Sequence, residues 1–144
     1  MRQAKGFTLT ELLIAIAILG ILASLAIPRL FPQTERARVS EEINILSAIR
    51  QGEEAFRLDN GVYLALPATA TNADWNRIGM DNPNPPTARY ATFVVTVGAP
   101  ATTFTATATR NGVDDAGGNV GRTITLNQAG IWGGTHPFVP RNPS

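Results

Sequence analysis

Residues 6–28 read GFTLTELLIAIAILGILASLAIP, and this apolar stretch decides what kind of protein the chain can be. Residues 12–27 carry no charge, and the longer tract 7–27 carries one, Glu11. A helix over 7–27 would be about 31 Å long, close to the roughly 30 Å hydrocarbon core of a bilayer. The stretch therefore predicts a membrane-spanning helix. The cations Arg2 and Lys5 precede it and favour a cytoplasmic N-terminus, although Arg29 beyond it weakens the asymmetry.

Three interpretations of this tract compete. The first is a secretory signal peptide that is cut after Ala26, with residues 24–26 (Ser-Leu-Ala) as the small-x-small cleavage site. The second is a plain signal anchor. The third is a short leader that is cut between Gly6 and Phe7, so that the apolar segment stays with the mature protein.

Two features favour the third interpretation. An ionised Glu11 at membrane depth costs about 2.5–3.5 kcal/mol unless it is paired, and a disposable signal peptide has no use for it. The helical pattern also continues past Pro28 and Pro32 as an amphipathic stretch, which predicts one long helix over 7–58. Its apolar stripe consists of Val39, Ile43, Leu46, Ile49 and Phe56.

The string quoted above closely resembles the N-terminus of type IV prepilins and of the pseudopilins of type II secretion. It has a glycine before the cut (Gly6), a phenylalanine after it (Phe7), a glutamate four residues later (Glu11), and a proline at Pro28. The resemblance implies that a membrane peptidase removes the leader 1–6. It also implies that the same enzyme methylates the new amine of Phe7.

Glu11 needs a positive partner if it is buried. The resemblance implies that this partner is the Phe7 amine of a neighbouring subunit, and that the pair sets the axial register of a filament. An alternative is that Thr8 and Glu11 form a capping box, since T-x-x-E ahead of an apolar run is its signature. Both roles can hold together.

The prolines predict an irregular helix. Pro28 and Pro32 lack an N–H, and each ring presses on the carbonyl four residues earlier, so a kink or a locally melted helix is expected between about Gly20 and Pro28. In the second half of the helix, most charged residues are interpreted as a solvated face, with Glu53 and Arg57 as an i, i+4 pair. Residues 59–61 (Asp-Asn-Gly) are expected to end the helix.

Residues 59–144 are predicted to form a small head. The Pro- and Asn-rich segment 62–89 is interpreted as a loop that packs Tyr63, Leu66, Trp75 and Ile78 against a core. Three alternating patterns, 90–97, 103–109 and 122–127, predict an antiparallel sheet whose apolar face covers the helix stripe. The inward residues are expected to be Ala91, Phe93, Val95, Val97, Phe104, Ala106, Ala108, Ile124 and Leu126.

The head also resembles that of type IV pilins in its run TFTATATR…GRTITLNQAGIW. It departs from many of them because the chain has no cysteine. The tail 133–144 must then be held by packing of Ile131, Trp132 and Phe138, or stay loose. Pseudopilins often have calcium instead of the disulfide, and Asp114, Asp115 and Asn119 are candidate ligands. Three side chains fall short of the six to eight oxygens that calcium takes, and a polar turn explains them as well.

The composition gives little support to an enzyme or a nucleic-acid-binding protein. After Leu58 the chain has five arginines and five aspartates, scattered singly, so the head has no basic stripe that could bind a phosphate backbone. His136 is the sole histidine and is interpreted as an exposed tail residue, and no serine lies in a nucleophile-elbow context. No catalytic residue, metal or cofactor is predicted.

The sequence therefore predicts an α+β pilin fold, with a long N-terminal helix, half of it transmembrane, on a small antiparallel sheet. The predicted function is a homo-oligomeric pilus filament subunit that lies in the bacterial inner membrane before export to the cell surface. Its expected partners are the prepilin peptidase and an assembly platform. A type II secretion pseudopilin, a membrane-anchored tip module that takes up DNA, and a soluble domain released at Ala26 remain alternatives.

Overall fold

The structure is a computed structural model that describes residues 6–84, 90–112 and 118–142, with the side chains of 25–32 outside the description. The chain divides into two units, Met1–Glu35 and Arg36–Ser144. One helix, α1 (Leu9–Asn60), contributes to both. The predicted long helix is thus confirmed, shifted by two residues at each end.

The end of α1 follows from its last residues. Gly61 has a φ of +75°, a conformation that glycine adopts without a Cβ penalty, and its N–H donates to Arg57 O at 2.8 Å. The side chain of Asn60 donates to Phe56 O at 2.8 Å and satisfies a second terminal carbonyl. The predicted stop at residues 59–61 is therefore confirmed.

The second half of α1 packs on the head through one stripe. Val39, Leu46 and Ile49 are buried, while Ile43 and Phe56 lie half-buried beside them. Two charged residues share that stripe, since Glu42 and Glu53 are also buried, and Glu35 is buried as well. The interpretation of the charged residues as a solvated face is wrong at these three positions.

Between α1 and the sheet lies a segment that contains a short helix, α2 (Asn72–Asn76). Its N-cap is Thr71, which forms a capping box with Asp74, and its backbone carries Trp75 into the core. Helix α2 was not predicted, because the whole segment 62–89 was interpreted as a loop. It was correct that Tyr63, Leu66, Trp75 and Ile78 are buried against the core.

The sheet has four antiparallel strands in the order β1-β2-β3-β4. The strands are β1 (Ala91–Val97), β2 (Phe104–Arg110), β3 (Thr123–Asn127) and β4 (Trp132–Gly134). The first three confirm the alternating patterns, and β4 was not predicted because three residues with two glycines give no strand signal. The predicted inward residues are confirmed as buried, except Val97, which is half-buried.

The tail after β3 is held by packing and hydrogen bonds together. Trp132 and Phe138 pack half-buried against the core, whereas Ile131 remains 46% exposed, so its predicted packing role is wrong. The backbone N–H groups of Thr135 and His136 both donate to Thr123 O, at 2.9 and 3.0 Å. The described tail is therefore fixed to β3 as well as to the core.

The tract predicted to cross a membrane, 7–27, runs into residues 25–32, whose side chains lie outside the description. Among the residues that the structure does describe, no helix has the length and hydropathy needed to cross a membrane. The membrane span therefore stays a prediction.

Candidate assembly site

The first turn of α1 forms around Thr8 and Glu11. Glu11 Oε2 accepts hydrogen bonds from Thr8 N at 2.9 Å and from Thr8 Oγ1 at 2.8 Å. In return Glu11 N donates to Thr8 Oγ1 at 3.2 Å. This is a capping box, which satisfies donors that the first turn otherwise leaves open. The capping role considered for the T-x-x-E sequence is confirmed.

The capping box uses one oxygen of Glu11 and leaves the other accessible. Within 6–84, 90–112 and 118–142, Glu11 Oε1 has no bonded partner, and the residue is exposed. Phe7, immediately before the capping pair, is 86% exposed. The helix start thus presents a carboxylate oxygen beside the residue predicted to carry the mature amine.

The apolar side chains that follow are exposed around the whole helix. The large hydrophobic residues from Leu9 to Leu22 are between 52% and 76% exposed in the chain by itself. A helix that is apolar all round is stable only when it is buried against other helices or in lipid. This surface consists of Leu9, Leu12, Leu13, Ile14, Ile16, Ile18, Leu19, Ile21 and Leu22.

The residues predicted to disturb the helix lie within it. The backbone is helical through Gly20, Pro28 and Pro32, so local melting between 20 and 28 is not what the structure has. A Cβ at Gly20 would meet nothing within 4 Å. The kink stays a prediction.

Charged groups are buried between α1 and the sheet, which the sequence patterns did not predict. Arg110 Nη1 lies 3.5 Å from Glu42 Oε1, and both side chains are at least 95% buried. The guanidinium also donates to Tyr90 O at 3.0 Å, and the Tyr90 ring stacks against Arg38. This cluster fixes α1 to β2 and to Tyr90, the residue before β1. The signal was in the spacing, because positions 39, 42, 46, 49 and 53 advance by 3, 4, 3 and 4 and place both glutamates on the apolar stripe.

Glu53 is fully buried and faces the loop after α1. Its Oε2 accepts from Leu64 N at 2.9 Å, and its Oε1 has no hydrogen-bond partner among the described residues. Burial raises the pKa of Glu53 to about 7, the bond from Leu64 opposes this, and the charge of Glu54 adds to it. The predicted pairing of Glu53 with Arg57 is wrong, since Arg57 donates to the hydroxyl of Tyr63 at 3.0 Å.

Tyr63 connects the end of α1 to the core. Its hydroxyl donates to Glu54 Oε1 at 2.9 Å, and its ring meets the Phe104 ring edge-on at 4.8 Å. Burial raises the pKa of Tyr63, and the hydrogen bond to Glu54 raises it further. A neutral phenol is therefore maintained over the physiological pH range.

The remaining candidate residues do not form a reactive or metal site in the part of the chain that is described. His136 is buried, which corrects the expectation of an exposed tail histidine, and its Nδ1 accepts from Phe138 N at 3.2 Å. Asp114 and Asp115 lie outside the described residues, while Asn119 is buried. Among the described residues no group of three His, Cys, Asp or Glu side chains could hold a metal ion.

The start of the chain matches a known family model. Residues 1–27 match the prokaryotic N-terminal methylation motif. The matched residues include the predicted cut site between Gly6 and Phe7, Glu11 and the apolar tract. The resemblance drawn from residues 6–28 is confirmed.

Individual relatives come from two kinds of system. The chain is 38% identical over 63 residues to type II secretion system core protein G of Vibrio cholerae, covering 44% of this chain and 43% of that protein. It is 42% identical over 76 residues to a fimbrial protein of Pseudomonas aeruginosa, covering 53% and 49%. It is 43% identical over 68 residues to the type IV wide pilus major component PilA4 of Thermus thermophilus, covering 47% and 52%.

The matched part of the chain spans about half the length of these curated relatives. No solved structure gives a significant match. The α+β architecture, with a long N-terminal helix packed on a four-stranded antiparallel sheet, agrees with the pilin fold that the sequence predicts.

Proposed function

We propose that this chain is a structural subunit of a type IV pilus filament that polymerises through the first half of α1. The observation that carries the proposal is a helix whose apolar residues from Leu9 to Leu22 are exposed all round, directly after a methylation motif. Bundling with identical helices from other copies would bury this surface. The driving force is then the transfer of apolar side chains out of water or lipid into a packed helical core.

Glu11 sets the register in this proposal. After cleavage behind Gly6, the Phe7 amine of one copy would pair with the open Oε1 of Glu11 on its neighbour. The Oε2 atom keeps the capping box with Thr8, so capping and pairing use different oxygens. An ion pair in a dry helix bundle is costly to break, because removing one partner leaves the other charge buried at a cost of about 3–5 kcal/mol.

The proposal extends to processing and location. The precursor would lie in the inner membrane with its N-terminus in the cytoplasm, lose residues 1–6 to a prepilin peptidase, and be methylated on Phe7 before an assembly platform adds it to the filament. The head would lie on the outside of the polymer. Its role is structural rather than catalytic, and its balanced charge gives no support to nucleic-acid binding.

Two measurements test the proposal. Mass spectrometry of the mature protein is expected to give a chain that begins at a methylated Phe7. A chain that begins at Ile27 would show a cleaved signal peptide and end the proposal.

The second measurement separates charge from capping at Glu11. Glu11→Gln retains the ability to form a capping box but loses the charge, whereas Thr8→Ala loses the capping hydroxyl and retains the charge. We expect the glutamine variant to be inserted but to form few or no filaments, and the alanine variant to form them. Wild-type filament yield from Glu11→Gln would remove the charge pair from the mechanism.

A type II secretion pseudopilin is the second candidate, because several relatives are core protein G of that system. Deletion of the gene distinguishes the two. Loss of surface fibres indicates a pilin, and loss of exported enzymes without any fibre indicates a pseudopilin.

A further inference from the structure

Each edge strand of the sheet has one residue whose backbone N–H and C=O both form hydrogen bonds with the side-chain amide of one asparagine. On β1, Phe93 N donates to Asn84 Oδ1 and Asn84 Nδ2 donates to Phe93 O, both at 2.7 Å. On β4, Trp132 N donates to Asn142 Oδ1 at 2.6 Å and Asn142 Nδ2 donates to Trp132 O at 2.9 Å. A primary amide has the donor and the acceptor of a peptide group, so each asparagine takes the place of one residue of a neighbouring strand.

The β1 edge is closed at two successive outward positions. Besides the Asn84 contact at Phe93, the backbone of Leu66 exchanges two hydrogen bonds with Val95, at 3.0 and 2.8 Å. Asn84 is half-buried, and its N–H donates to Asn82 Oδ1 at 2.8 Å. This edge is therefore covered by chain that is itself fixed.

The β4 edge depends on one exposed side chain. Asn142 is exposed, and its two hydrogen bonds both go to Trp132. The strand is short and contains Gly133 and Gly134, which weakens pairing with another strand but does not remove the open N–H and C=O groups. If the Asn142 side chain moved away, the backbone N–H and C=O of Trp132 would need new hydrogen-bond partners.

We propose that the Asn142 side chain is an edge cap, which keeps β4 from pairing with β4 of a second copy of this chain. The inference rests on the proposed function, since a filament holds many heads side by side at high local concentration. A second copy is the occupant that fits, because the same edge on both partners gives a self-complementary two-fold contact. The cap confines association between copies to the N-terminal helix, so that separate filaments do not join through their heads.

The test uses the full chain with a reporter cysteine, which is unambiguous because the natural sequence has none. Ile131→Cys introduces a thiol at an exposed side chain beside Trp132. In this background Asn142→Ala removes the cap, and Asn142→Asp replaces the amide donor by a charged carboxylate oxygen at nearly the same size. Asn60→Ala is the matched control, because it removes an exposed asparagine amide away from the sheet.

Oxidation in detergent and electron microscopy of filaments give the two readouts. We expect disulfide dimers and side-by-side filaments with Asn142→Ala, and fewer of both with Asn142→Asp. Neither is expected with Asn60→Ala or with the Ile131→Cys chain in which Asn142 is intact. Equal cross-linking in all backgrounds, or none in any, would overturn the inference. If Asn142→Ala does not fold, judged by Trp fluorescence, the Asp variant decides in the same way. If the wild type forms no filaments, the proposed function fails, while the detergent assay still tests the cap.

Discussion

The two halves of α1 have similar hydrophobic side chains in opposite surroundings. Leu46 and Ile49, in the second half, are fully buried by the head of the same chain. Leu13 and Ile14, in the first half, are 53% and 55% exposed. The comparison shows that the head of the same chain stabilises only one half of the helix, whereas in the proposed function other copies would cover the other half.

Truncation of a leucine in each half is the sharpest test of this difference. Leu46→Ala leaves a cavity in the core and is expected to lower the free energy of unfolding of the head by about 2–5 kcal/mol. Leu13→Ala removes the same atoms from an exposed position and should change it by less than about 0.5 kcal/mol. Denaturant unfolding of the full chain in detergent, followed by the fluorescence of Trp75 and Trp132, measures both. Equal losses would contradict the division of the helix.

The pH dependence of stability should come from the head half. Because burial raises the pKa of Glu53 to about 7, the folded chain holds its proton more tightly than the unfolded chain does. The contribution of Glu53 to the free energy of unfolding should be greatest below pH 4.5, its ordinary pKa, and fall by about 3 kcal/mol as the pH rises to 7. Glu53→Gln is expected to remove this pH dependence of the free energy of unfolding, whereas Asp81→Asn, at an exposed residue, is expected to retain it. If the pH dependence persists in Glu53→Gln, another group causes it.

Two glycines of α1 extend the comparison to the backbone. A Cβ at Gly52 would overlap the backbone oxygen of Ile78, well inside van der Waals contact distance, so Gly52→Ala should force α1 away from Ile78 at a cost of about 1–3 kcal/mol. Gly20 has open space, and Gly20→Ala should leave the head unchanged. Thermal unfolding of the two variants decides, and a stable Gly52→Ala would mean that the helix does not pack as closely as described.

The two capping boxes give the smallest expected effect. Thr71→Ala breaks the box with Asp74 at the start of α2 and should cost about 1 kcal/mol of head stability. Thr8→Ala breaks the equivalent box with Glu11 in the other half and should leave the head unaffected. The box also explains why the pKa of Asp74 is lowered, since Thr71 donates to the carboxylate from both its backbone and its hydroxyl. Retained stability in Thr71→Ala would show that Trp75 packing alone holds α2.

Periodicity was sufficient to predict the long helix, three of the strands and most of the core. These elements have repeating apolar positions over seven or more residues or strict alternation, as in the β2 sequence from Phe104 to Arg110. Elements too short to show a period, α2 and β4, were missed. Helix α2 depends on a single capping box and the burial of Trp75, and β4 on the pairing of Trp132 with Leu126 and its hydrogen bonds to Asn142, none of which gives a repeating pattern.

The candidate site shows the same limit. Gly6, Phe7 and Glu11 could be predicted as site residues because the methylation motif is continuous in sequence. The head's buried charges Glu42, Glu53 and Arg110 were missed because a glutamate on an amphipathic helix is usually solvated. The spacing places both glutamates on the apolar stripe, and the partners on β2 and at Leu64 explain why these side chains lie inside.

The order of the strands has a consequence for how the head forms. Each strand pairs with its neighbour along the chain, and the connections between them are residues 98–103, 111–122 and 128–131. Loop closures of this length have a low entropic cost, and topologies rich in local contacts fold faster than those that join distant segments. The sheet can therefore grow one hairpin at a time, without waiting for a distant segment or for cysteine oxidation.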